Sequence, residues 1–205
     1  MPALWPAFQA QMNTWFCGDA EGGETTTNGS KTAAEIASAY ETAIATAGVT
    51  VPGNMVASGW VKSTMQTGFE TSFAQQMQAA GTPPEGIDIG VPVWIAAATG
   101  TVNAWAAVQY QAMPAIGHGL ATIPLTGGPT DCLQLDPGLG AIPGLASDIN
   151  DAFHSESCSL VASVLVAGFT KHLTMISGLY SGQMPNPAGT PPLIPQPPVP
   201  WMGVS

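Results

Sequence analysis

The chain contains no arginine, and its only other cations, Lys31, Lys62 and Lys171, face thirteen Asp and Glu. Clustered Lys and Arg are what neutralise nucleic-acid phosphates. Three dispersed lysines and a net charge of −10 therefore exclude direct DNA or RNA binding. The same shortage argues against an anionic membrane surface. Charge of either sign is scarce: 8% of residues carry it, where soluble domains carry about a quarter. Residues 89 to 130 hold no Asp, Glu, Lys or Arg at all. A surface so poor in ions is either covered by neighbouring chains or solvated by Ser, Thr, Asn and Gln.

Cysteine is also sparse. Cys17, Cys132 and Cys158 are an odd set, whereas a secreted disulfide framework is normally even and denser. One bridge, such as Cys132 to Cys158, is open to the chain, but three buried thiols are the expected state. Met1 to Phe16 lacks the basic region and continuous apolar core of a signal peptide, so none is expected there. Strand-like alternation is weak, and no internal repeat of clear period is visible.

Helical apolar periods dominate what is present. Trp5, Phe8, Met12, Trp15 and Phe16 form one stripe over Pro2 to Phe16. Gly18 to Ser30 is a polar loop with an Asn28-Gly29 turn signal. Ser30 can cap a helix over Lys31 to Ala47, whose narrow stripe is Ala33, Ile36, Ala37, Tyr40, Ile44 and Ala47. Asn54 is the expected cap of a longer helix to about Ala80. There Val61, Met65, Phe69, Phe73 and Met77 repeat every four residues. Gly59 and Gly68 weaken that helix intrinsically and point to close helix contacts.

Val91 to Ala112 is an uncharged helix with Pro92 in its first turn. Val93, Trp94, Ile95, Val102, Trp105 and Val108 spread around its wheel, so it is expected to be buried on most sides. Residues 89 to 110 are also long enough to cross a membrane. Their alanines, Thr99, Thr101, Asn103 and lack of flanking basic residues favour a buried helix instead. Ala115 to Gly144 is irregular and rich in Gly and Pro; loops of that length often serve as binding elements. A last helical stretch, from about Pro143 to Tyr180, is expected to break near Ser155 to Ser159.

The C-terminal segment has eight prolines in residues 185 to 200. It favours extended polyproline II and cannot build a packed helix. The chain thus reads as a helical domain, residues 1–184, followed by an extended arm, residues 185–205. The arm carries Leu193, Ile194, Val199 and Trp201, which have no evident home within the arm. Together with Trp5 near the other end, they are the candidate interface residues, and the arm is expected to lie across a neighbouring subunit.

Chemistry-bearing motifs are few. His154 and Cys158 share a helix face, and with His118 and Cys132 they would complete a Cys2His2 set. The spacing is not that of a known zinc module, and a partly buried thiol beside a surface histidine is the simpler reading. Cys132 lacks a nucleophile motif and a cation to activate it. Asp148 and Asp151 fall in the first turns of a predicted helix, where the helix dipole favours negative charge. Gly127-Gly128 and Gly138-Leu139-Gly140 lack a phosphate-loop lysine. The spacings Pro192/Pro195 and Pro195/Pro198 lack the basic residue usual in groove ligands. No catalytic, cofactor-binding or metal-binding residue is assigned, and no cofactor is expected.

The run Ala34-x-Ile36-Ala37-x-x-Tyr40-x-x-Ala43-Ile44 resembles an opening helix of small virion structural proteins of tailed bacteriophages. Similar too is the order of parts: aromatic N-terminus, Ala-rich helices, an apolar Trp-containing helix and a Pro-rich arm. The resemblance implies a non-enzymatic component of a phage particle, located in the virion. Its partners would be copies of itself and other structural proteins of the assembly.

The expected fold is mainly α, an irregular bundle of about five helices with a long Gly/Pro loop and the C-terminal arm. The expected function is that of a structural subunit. A secreted helical partner-binding or effector protein is the first alternative, and a membrane-associated protein using residues 89–110 the second. Lacking arginine, the pure chain should show no retention of DNA or RNA in filter binding at low salt, where electrostatic affinity is greatest. Micromolar retention would overturn that expectation.

Overall fold

A computed structural model describes residues 3–18, 29–47, 54–56, 59–80, 90–106, 109–111, 132–181, 183–184, 194–195 and 199–204. It is mainly α. The described helices are α1 (Trp5–Cys17), α2 (Gly29–Ile44), α3 (Gly59–Ala80), α4 (Gly90–Ala106), α5 (Ile142–Phe153) and α6 (Cys158–Met175). The predicted last stretch is two helices, α5 and α6, because His154 to Ser157 leave helical geometry. That break makes six helices where about five are expected.

In chain order each helix packs on the next, and α6 packs back on α1. The helices therefore form a closed ring about one core. Five of its joints are continuous in sequence, and the sixth, between α6 and α1, joins distant parts of the chain. Cys17 and Cys158 form a disulfide at this joint, with Cα atoms 5.4 Å apart and a sequence separation of 141. Both residues are exposed. This corrects two expectations: the pairing is not Cys132 to Cys158, and these two cysteines are not buried thiols. Chain-entropy reasoning puts a closure of this length at about 5 kcal/mol.

The apolar stripes explain the ring. On α1, Phe8 and Met12 are buried; on α2, Ala33, Ile36, Ala37, Tyr40, Ala43 and Ile44 are. Phe169 of α6 meets Tyr40 and Phe8 edge-on, with ring centres 4.8 and 5.7 Å apart. A second aromatic group joins α1, α3, α4 and α5. Trp94 stacks on Phe153 at 4.6 Å, and Phe73 and Phe16 each meet Phe153 edge-on. Burial of this area outside water is the main favourable term for the fold. Val61, Met65 and Phe69 of the α3 stripe are buried, but its end is not: Met77 is 70% exposed. On α4, Trp94, Trp105 and Val102 are buried as expected, while Ile95 faces outward.

Small residues set how closely helices approach. A Cβ on Gly68 would lie 2.6 Å from the Ala96 carbonyl oxygen and 2.7 Å from the Gly100 Cα. The crossing of α3 and α4 is thus a backbone-to-backbone contact that needs glycine on both sides.

Among the described residues, seven short strands accompany the helices, none of them legible as alternation. β1 (Asn54–Val56) pairs antiparallel with β2 (Gln109–Gln111). Asn54 is therefore a strand residue and not the cap of α3, and α4 stops at Ala106 rather than Ala112. Ser30 does not cap α2 either. It lies in the first turn, and its hydroxyl donates to Glu70 of α3 at 2.8 Å. β3 (Cys132–Asp136), β4 (Ser177–Ser181) and β7 (Val199–Met202) form an antiparallel sheet with β4 central. β5 (Gln183–Met184) pairs with β6 (Ile194–Pro195). Pro200 sits on an edge strand, where a missing N–H is tolerated.

The Gly68–Gly100 crossing yields a stability prediction. Gly68→Ala should destabilise by about 1–3 kcal/mol, because only backbone can give way. Gly144→Ala, with nothing within 4 Å of the new methyl, should be neutral or stabilising by up to about 1 kcal/mol. Urea midpoints of the two variants check the contrast, and equal midpoints would show that the helices are not so close.

Candidate functional site

A cleft of about 330 Å³ lies between α5 and α6, lined in part by Ser147, Asp148, Gly168, Lys171, His172 and Met175. Helix spacing builds it. Val161, Leu165, Phe169 and His172 follow the buried face of α6, and Gly168 lets α5 come close, since a Cβ there would meet Asp148 Cβ at 2.8 Å. A one-turn 3-10 segment, Leu139–Ala141, covers the end. It follows Gly138, whose φ of +75° favours glycine and whose N–H donates to Asp136 at 2.9 Å.

The ionisable groups here are committed. Lys171 Nζ contacts both carboxylate oxygens of Asp148 at 2.7 and 3.0 Å. Asp148 is the seventh residue of α5 and not in its first turn, so its charge is used against Lys171 rather than the helix dipole. Lys171 is 66% exposed, so the pair adds little stability, at most about 1 kcal/mol. His172 is buried, and its Nε2 lies 2.9 Å from the Pro137 carbonyl oxygen. A carbonyl only accepts, so Nε2 carries the proton and Nδ1 is the bare nitrogen. Burial lowers the His172 pKa from its ordinary value of 6.5, against a smaller opposite effect from the Pro137 bond. A neutral ring sealed from solvent holds the β3 end of the sheet to α6 and is in no position to pass a proton to a substrate.

A wider groove of about 520 Å³ runs along the α3–α4 crossing, over Gly68 and Gly100. Its walls include Thr67 and Thr71, whose hydroxyls donate to the Ser63 and Thr67 carbonyls of their own helix. The groove is uncharged.

Elsewhere, polar groups are likewise spent on structure. Trp105 Nε1 donates to the Tyr40 hydroxyl at 2.8 Å, 65 residues away in sequence. Burial raises the Tyr40 pKa far above its ordinary value, a shift the Trp105 bond only partly offsets. Glu70 accepts from Ser30 and Gln66, and Glu35 accepts from Gln11. Among the described residues, no three His, Cys, Asp or Glu side chains gather as a metal set. Cys158 is bonded to Cys17, His154 Nδ1 donates to the Asn150 carbonyl, and His118 lies outside the described residues.

The candidate interface residues are placed as follows. Trp5 is half-buried within its own chain, 6.0 Å from Phe8, 6.2 Å from Tyr40 and 6.4 Å from Phe169 between ring centres. Leu193 lies outside the described residues. The backbones of Ile194, Val199 and Trp201 are paired to Met184, Tyr180 and Gly178. Beyond Trp201, Gly203 and Val204 donate to the Ile176 and Leu173 carbonyls, satisfying acceptors at the α6 end. Val204 is buried. The end of the arm thus closes on its own chain.

The sequence reading missed Lys171–Asp148, His172 and the 17–158 bond. Only His172 left a signal, by falling on the helical period of a buried stripe. Among the described residues, α6 is the one helix long and apolar enough to cross a membrane, and it carries Lys171 and His172. The chain matches no family model, no curated protein and no solved structure.

Protonating His172 places charge on a buried ring whose Nδ1 has no partner among the described residues. Its folded pKa lies below its unfolded one, so the unfolded chain binds the extra proton first. Its contribution to stability is full above about pH 6.5, starts to fall as pH drops below that value and is lost as pH passes its lower folded pKa, with a slope of at most about 1.4 kcal/mol per unit. His172→Gln, which keeps a donor toward Pro137, should flatten the fall in denaturant midpoint between pH 7.5 and 5.5. An unchanged slope would remove His172 as its cause.

Proposed function

We propose that the chain is a non-enzymatic structural subunit that works through protein contacts in a larger assembly, a tailed-phage particle being the setting its sequence resembles. The observation that carries this reading is the exterior. Large apolar side chains stand exposed on a chain with 8% charge: Met202 at 76%, Met77 at 70%, Leu139 at 57% and Met175 at 48%. Three of these lie around the C-terminal end of α6. Gly138 and Gly140 flank Leu139 and approach Met175, and Gly203, after Met202, bonds Ile176. Exposed apolar groups of this size favour association, and they must do so against the mutual repulsion of a net charge of −10. Methionine adapts its shape to a partner. The ionisable side chains described above are already engaged in holding helices together, which agrees with a role in contacts rather than chemistry.

The exposed Cys17–Cys158 bond favours the alternative of a secreted partner-binding protein, because disulfides persist in oxidising surroundings. Native mass separates the two readings. A structural subunit should self-associate at micromolar concentration, and Met175→Gln with Met202→Gln should weaken association without lowering the melting temperature. A chain that stays monomeric throughout, or forms only a one-to-one complex with a different protein, would favour the secreted reading.

A further inference from the structure

We propose that the Cys17–Cys158 bond is a lock closed on the already folded chain, with Cys158 as the thiol that reacts first. The seam assembles without the bond. Across the seam Trp5 and Phe8 of α1 pack on Phe169 of α6, while α1 is itself held on α2, where Leu4 N–H donates to the Ala43 carbonyl at 2.8 Å and Gln11 donates to Glu35. These contacts hold Cys17 beside Cys158 whatever the state of the sulfurs. Both residues are exposed, so a small disulfide in solution can reach them.

The two sulfurs are not equivalent. Cys158 is the first residue of the 18-residue α6, and Ser157 before it makes no side-chain cap bond. The positive end of the helix, which no Ser157 side-chain cap shields, favours a thiolate there. Cys17 is the last residue of α1, at the negative end of a helix with no basic residue in its last turn. Glu156, exposed and two residues before Cys158, opposes the effect at that end.

The oxidant is a low-molecular-weight disulfide, such as oxidised glutathione. The Cys158 thiolate attacks one of its sulfurs, its S–S bond breaks, and one glutathione leaves as thiolate. The Cys17 thiolate then attacks the Cys158 sulfur, the mixed disulfide breaks, and the second glutathione leaves. The two cysteines lose two electrons to glutathione, and their two protons go to the departing thiolates. The ring of helices is then covalently closed where its last helix meets its first. This holds for a particle released from a reducing cell and for a secreted chain alike.

The test uses the full chain, refolded with a phosphine reductant that is then removed. The reduced chain should show the same helical spectrum as the oxidised one. Added oxidised glutathione should give a 17–158 bond by peptide mass, and proteolysis by a non-specific protease should slow by roughly a thousandfold where cleavage follows the open population. Under limiting oxidised glutathione, Cys17→Ser should take up glutathione at residue 158 faster than Cys158→Ser does at residue 17. Glu156→Gln should speed the reaction at residue 158. An unfolded reduced chain, pairing through Cys132, or a faster reaction at residue 17 would each overturn the proposal.

Discussion

Phe169 is fully buried where α1, α2 and α6 meet, and the rings of Trp5, Phe8 and Tyr40 converge on it. This contact joins the first helix to the last, a joint that sequence continuity cannot supply. Without it α1 would be held by α2 and the Phe16–Phe153 contact alone, and weakly tied terminal elements fray. With it, the circuit of helix-on-helix packing is closed. The core depends on that closure, because Tyr40 also receives the Trp105 hydrogen bond from α4 across the interior. A change at Phe169 would therefore be felt on both sides of the ring.

Close approach is the second requirement. Helices α3 and α4 meet at Gly68 and Gly100, and α5 meets α6 at Gly168. Glycine costs helix stability, but here it lets backbones touch and brings the large rings of Trp94, Phe73 and Phe153 into register. The two hydrogen bonds at the end of α6 act in the same direction. They tie the last residues, Gly203 and Val204, to a helix whose start is bonded to α1.

The scarcity of charge has a structural counterpart. Lys171 is used on Asp148, and His172 stays neutral against Pro137. The charge that remains is almost all of one sign, with a net of −10, and the exposed methionines Met77, Met175 and Met202 stand out on that surface.

Much of the helical body was legible in the sequence. The stripes on α1 and α2, and the first three turns of α3, are the buried faces in the structure, because a period of 3.6 residues places side chains on one side of a helix whatever it packs against. Helix α4, read as apolar all round, buries Trp94, Val102 and Trp105 but turns Ile95 outward. The absence of arginine bears on nucleic-acid contact without any fold at all. The candidate site was not legible. Asp148 and Lys171 meet across two helices, and the pairing of Cys17 with Cys158 follows only from the ring that brings residues 141 apart into contact. The caps read at Ser30 and Asn54 failed because tertiary partners, Glu70 and β2, claimed those residues. The short strands were silent because two to five residues are too few to show alternation. The sequence by itself determined which faces of the helices are apolar. Only the tertiary structure decided which faces meet, since that depends on the joint closure of all six helices and not on the local period of any one.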